Sequence, residues 1–163
     1  MNNFIQLKKD DVLRLGIKTA DGKDTGEFLE FDLEDIELPL RYQDLLEKDK
    51  KNKEYLKNQL LIIDKRKDVN TKNKLLSKNQ EDKIKAVNDF FKREVEIFDG
   101  FLGKNGVKKL LNGRKIGWTS LQEIDEIISK QIAPYLDLRM DKITTKIKET
   151  YSQAGKIDKE EVL

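Results

Sequence analysis

The stretch from Ala86 to Arg114, AVNDFFKREVEIFDGFLGKNGVKKLLNGR, constrains the fold more than any other part of the chain. Ile84, Val87, Phe91, Val95, Phe98 and Leu102 recur at steps of three and four, the spacing of one helical face. Burying one Phe or Val side chain contributes about 1.5 to 3 kcal/mol, so this face belongs at the centre of a core or an interface. Asp99-Gly100 and Gly103 interrupt the pattern, and Gly106 to Gly113 reads as a short helix with a glycine at its exit. The unit predicted is helix, turn, short helix, turn.

Upstream, the periodicity is two. Leu13, Leu15 and Ile17 alternate with Arg14, Gly16 and Lys18, and Leu29, Phe31 and Leu33 alternate with Phe28, Glu30 and Asp32, with turn formers over Ala20 to Gly26 between them. These are two strands of a β-hairpin. A lone hairpin is marginal in water, so it must pack on the helices or pair with another edge. Pro39 suits the first turn of a helix that carries Tyr42, Leu45, Leu46, Tyr55, Leu56, Leu60 and Ile63. Between Lys48 and Lys53 the apolar pattern lapses; the lapse is a solvated helical turn or a break, and a continuous helix is the better reading. Lys65 to Lys74 is a polar connector.

Ser77 and Gln80 fit a capping box at the start of the central helix, and Ser120 with Glu123 fits a second one. The last helix carries Leu121, Ile124, Ile128, Ile132, Tyr135 and Leu136 on one face, and Pro134 is expected to kink it. Met140, Ile143, Ile147 and Tyr151 continue the spacing to about Ser152. The fold class predicted is mainly α with a small N-terminal β-hairpin (α+β), its helices forming a bundle of four to five. A hairpin segment over 1–38, a helical domain over 39–152 and a disordered tail over 153–163 divide the chain. No apolar run reaches the roughly 18 residues of a membrane span, and the N-terminus has no signal-peptide core, so a cytoplasmic location is expected.

Composition closes most routes to catalysis. The 163 residues include no cysteine and no histidine. That leaves no thiolate nucleophile, no imidazole base and no Cys or His zinc site. The 33 basic and 31 acidic residues nearly cancel, so the chain lacks the global basic excess of many nucleic-acid binders. Carboxylate pairs such as Asp32 with Glu34, or Asp125 with Glu126, lie in charged segments and read as solvated surface, not as acid/base dyads. The Asp99–Gly106 loop is oxygen-rich, but an EF-hand count from Asp99 puts Phe101 third and Leu110 twelfth, where oxygen ligands are needed. Gly100, Gly103 and Gly106 follow no strand and make no phosphate-binding motif. A non-enzyme without metal or cofactor is expected. Trp118, beside Arg114 and Lys115, is either a plug at the end of its own core or a recognition anchor.

The run Phe98-Asp99-Gly100-Phe101-Leu102-Gly103, then Gly106, the segment Lys109 to Arg114, and Ile132-Ala133-Pro134-Tyr135 resemble the tail assembly chaperones of phages and prophages infecting Gram-positive bacteria. The likeness covers roughly residues 84 to 138. It implies a non-enzymatic protein that binds the helical tape measure protein during tail morphogenesis, with the major tail tube protein and sister copies (a homo-oligomer) as further partners. Under it Phe91, Phe98, Phe101, Leu102, Leu110 and Leu111 form a scaffold. The partner-binding candidates are Phe101, Leu102, Arg114, Trp118, Met140, Ile143, Ile147 and Tyr151. Rival classes are a structural virion component, such as a tail-completion or connector protein, and a small nucleic-acid-binding regulator using Lys65 to Lys74 or the Arg114-Lys115 loop. Nucleic acid and membrane are poor fits as partners.

Overall fold

The computed structural model describes residues 3–6, 11–70 and 72–161, with side chains described as far as Ala154. Strands β1 (Val12–Lys18) and β2 (Asp24–Asp32) pair antiparallel, with Leu13 opposite Phe31 and Leu15 opposite Leu29. The turn between them runs through Gly22 at φ +83°, a conformation that a side chain would strain. The pairing slips between Gly16 and Lys18, where the Thr25 hydroxyl donates to the Ile17 carbonyl at 2.7 Å.

Helices α1 (Leu38–Asp64) and α2 (Lys78–Leu102) run antiparallel, Tyr42 meeting Phe101 at one end and Asn79 meeting Ile63 at the other. Helix α1 is continuous through Lys48 to Lys53, and Pro39 lies in its first turn. The capping box that opens α2 is complete: Gln80 N–H donates to Ser77 Oγ at 3.2 Å and Ser77 N–H to Gln80 Oε1 at 3.0 Å. The connector is tied down at its ends, Asp68 accepting from the backbone N–H of Asn79 at 3.0 Å.

Helix α2 passes straight through Asp99 and Gly100 and ends only at Gly103, whose φ is +97°. A glycine within a helix costs about 1 kcal/mol, which the aromatic packing on either side exceeds. Asp99 has a different task. Its Oδ1 accepts the Val107 N–H at 2.9 Å and so satisfies the first turn of α3 (Gly106–Leu111).

Helix α4 (Trp118–Ile127) starts earlier than the Ser120 box predicts: Gly117 is the N-cap, and Ser120 reaches back to take the Gly117 N–H at 2.8 Å. Trp118 is therefore the first residue of this helix. A wide turn of π-helix, Ile128–Ile132, then joins α4 to α5 (Ala133–Glu161). Pro134 follows this turn directly, where the enlarged turn accommodates a ring without an N–H that would crowd the preceding carbonyl. Helix α5 continues past Ser152 into the stretch read as a disordered tail.

One core joins all of these elements. Leu29 and Phe31 from the hairpin pack with Phe98, Phe101 and Leu102 of α2, Val107 of α3, Ile124 of α4 and Ile132 at the wide turn. Phe31 and Phe101 stack at 5.4 Å between ring centres. The chain is mainly α with an N-terminal hairpin, and the hairpin shares the helical core across the expected boundary at residue 38.

Candidate partner-binding surface

Helix α5 begins inside the core and leaves it. Ile132 and Leu136 are buried; one to two turns on, Met140 is exposed and Ile143 half-buried, and then Ile147 (58 % exposed) and Tyr151 (81 %) stand in solvent. All lie on the face that Leu136 buries, so the stripe outside is the continuation of the one inside. Arg139 anchors the exit through an ion pair with Asp11 at 2.6 Å.

Across from this stripe lies the turn between β2 and α1. Glu34 and Ile36 on that turn, and Ile143, Ile147, Lys142 and Lys146 on α5, line a groove of about 590 Å³. Ile36 is mostly exposed, so the groove floor is apolar on both walls. Its rim carries both signs: Asp141, Lys142, Lys146 and Glu149 on α5 and Glu34 on the turn form no ion pair among the described residues, while Asp35 and Glu37 are held by Arg41 at 2.7 and 3.6 Å. Glu34 and Ile36 carried no partner-binding signal in the sequence. They act only because the hairpin brings them beside α5.

The other candidates divide. Phe101 and Leu102 are each 4 % exposed, which corrects their assignment to a binding surface: the Phe101 ring is enclosed by Phe31 and Tyr42, and Leu102 packs beside it. With Phe98 and Leu111 they are scaffold, and Phe91 and Leu110 pack half-buried at its margin. Trp118 combines both roles considered for it. Its ring meets Phe91 edge-on at 4.7 Å and Phe90 at 5.5 Å, yet it remains 58 % exposed. Arg114 is exposed and donates through Nε to the Leu111 carbonyl at 3.3 Å, closing the end of α3. Neither lies on the α5 groove.

A polar cluster is buried between α1 and α2. Glu94 is fully buried; its Oε1 accepts from the Asn52 amide at 2.9 Å, and the same amide reaches the Phe90 carbonyl at 3.2 Å. Glu94 Oε2 and Asp49 Oδ1 are both buried without a hydrogen-bond partner, and a protonated Glu94 carboxyl avoids placing two charged carboxylates side by side there. Burial and the neighbouring Asp49 push the Glu94 carboxyl up to about 8, against a weaker pull from Asn52. Lys53 holds the other Asp49 oxygen at 2.9 Å. Burial likewise raises Asp125, on α4, so the solvated-surface reading of Asp125 is too simple; Asp32 and Glu34 are exposed as expected.

Compared with known proteins, the chain matches no family model, no curated protein and no solved structure. Among the described residues no three His, Cys, Asp or Glu side chains are grouped to hold a metal ion, and no helix is long and apolar enough to cross a membrane.

Proposed function

We propose that this protein is a non-enzymatic phage tail assembly chaperone that works in the cytoplasm of the bacterial host cell and binds the helical tape measure protein. The observation behind this reading is the groove beside α5, apolar along its floor at Ile36, Ile143 and Ile147 and charged at its rim. An amphipathic helix laid along such a groove buries its apolar stripe and keeps its polar face in water. The surface elsewhere is densely charged, with 39 % of residues Asp, Glu, Lys or Arg, which suits a protein that coats an aggregation-prone helical polymer. The major tail tube protein is the second partner in this scheme.

Co-expression with the long helical protein encoded just downstream, followed by size-exclusion chromatography with light scattering, tests it. A complex that keeps the client soluble only when both proteins are present is the expected result. A client that stays insoluble while this protein elutes alone overturns the proposal. A structural virion role is the second reading, favoured by the two-stranded sheet, whose strands pair, among the described residues, with each other and leave an outer edge on each side. Under that reading the protein is found in purified particles, whereas a chaperone is missing from them.

A further inference from the structure

We propose that Asn112 is a site of spontaneous chemical modification with water as co-reactant. Its side-chain amide is exchanged for a carboxyl group through a cyclic imide closed by the backbone nitrogen of Gly113, leaving aspartate and isoaspartate at position 112. An asparagine or aspartate followed by glycine is the local prerequisite, because the ring closes within one chain step and glycine puts no side chain in its way. Four such pairs occur: Asp21-Gly22, Asp99-Gly100, Asn105-Gly106 and Asn112-Gly113. What the attacking nitrogen is doing separates them. Gly22 N–H donates to the Thr19 carbonyl at 2.9 Å and Gly106 N–H to the Gly103 carbonyl at 3.0 Å. Gly100 lies inside continuous helix α2, where the helical ladder holds its N–H. Of the four, the Gly113 N–H is the one without a hydrogen-bond partner among the described residues. Space divides the two asparagines in the same way. Gly106 is buried, and a Cβ there would meet the Leu102 Cβ at 2.6 Å, so this backbone is wedged against α2 and cannot turn its nitrogen toward the Asn105 side chain. Asn112 and Gly113 are both exposed beyond the end of α3, and nothing lies within 4 Å of the Cβ position of Gly113.

The Gly113 nitrogen gives up its proton to solvent hydroxide and attacks Asn112 Cγ. The Cγ–Nδ2 bond breaks, and the amide nitrogen takes a proton from water and leaves as ammonia. Water then adds to one of the two ring carbonyls and breaks its bond to the imide nitrogen. Addition at Cγ gives aspartate; addition at the backbone carbonyl gives isoaspartate, in which the main chain runs through Cγ and is one methylene longer. The balance is one water in and one ammonia out, with no oxidation. The longer chain separates Leu111 from Arg114, whose N–H and Nε both donate to the Leu111 carbonyl, at 3.1 and 3.3 Å, so the change loosens the end of α3.

Ageing of the full chain in mildly alkaline buffer, followed by trypsin and liquid chromatography with mass spectrometry, tests the proposal. Cleavage after Lys104, Lys108, Lys109 and Arg114 places the two asparagines on separate peptides, 105–108 and 110–114. The 110–114 peptide is expected to gain the mass of an amide-to-acid exchange at least about tenfold faster than the 105–108 peptide, and to elute as a pair of isomers. In guanidinium chloride the two rates are expected to converge, because the hydrogen bond and the packing that protect Asn105 are gone. The aged wild type is expected to accept a methyl group from an isoaspartyl methyltransferase. Aged Asn112→Gln, whose longer side chain would need a six-membered ring, is expected to accept almost none. Equal rates in the folded chain, an intact Asn112, or aspartate without isoaspartate overturns the proposal. So does a rate gap that persists in guanidinium chloride, since the difference would then lie in local sequence and not in the fold, and so does undiminished methylation of Asn112→Gln.

Discussion

Glu94 sets the pH behaviour of the fold. Its carboxyl is raised from 4.5 to about 8 by burial first and by Asp49 second, so the folded chain holds a proton that the unfolded chain releases. A group raised in this way contributes stability fully present below its unfolded value and lost as pH rises through its folded value. Each pKa unit corresponds to about 1.4 kcal/mol, so the loss is large for a small domain. Asp125 acts in the same direction, and the ammonium of Lys53 stays charged throughout the interval. The urea midpoint of the wild type is therefore expected to fall from about pH 5 to about pH 8, and Glu94→Gln, which keeps the shape without the charge, to flatten that fall. A wild-type midpoint that is level across the interval would rule out the raised Glu94 carboxyl. Gly106 is a second constrained position: a Cβ there meets the Leu102 Cβ at 2.6 Å, close to rigid backbone on α2. Gly106→Ala is expected to cost about 1 to 3 kcal/mol in thermal or urea unfolding, and an unchanged midpoint would show that α3 can move away freely.

Single elements differ in how far their local chemistry foretold them. The Ser77 box is self-contained, and Ser77→Ala is expected to cost about 1 kcal/mol with the fold retained, measured by urea unfolding. The hairpin was equally legible, because a period of two leaves one face for the core and the turn residues sit between the two runs. The buried face of α2 was less so. Phe90, Glu94, Phe98 and Phe101 point inward, whereas a reading of apolar spacing passes over Glu94 as solvent-facing and selects Ile84, which is exposed. The lapse in α1 misleads for the same reason. Asn52 lies in that polar stretch, yet it is buried against Glu94, so the two departures from pattern are halves of one contact between helices far apart in sequence. Local periodicity has no access to such pairing. The wide turn before Pro134 is a compromise among neighbouring turns and leaves no residue type that marks it.

At the scale of the whole molecule, the hairpin and the helices are expected to unfold together, since Leu29 and Phe31 share one buried cluster with residues of α2 and α3. Trp118, the sole tryptophan, rests on Phe90 and Phe91 and so reports on the contact between α4 and α2. Its fluorescence and the far-UV circular dichroism are expected to change at one temperature on heating; two separated transitions would mean that the hairpin and helices are independent units. The groove was half legible. Met140, Ile143, Ile147 and Tyr151 stood out by their spacing, but the facing wall is assembled by tertiary structure from a turn over a hundred residues earlier.

The wide turn over Ile128–Ile132 has a bearing on how such a surface is aimed. A π turn carries one residue more than the α turn it replaces, and one residue is a rotation of about 100° along a helix. Deleting a single residue there regularises the rod and leaves Ile143 and Ile147 facing Ile36, because the wide turn already absorbs the extra residue within one revolution. The same deletion in the regular part of α5 before Ile143 swings them away without altering any side chain in the groove. The wide turn is thus the place where the rod can lose a residue and keep its aim, while the regular helix beyond it cannot.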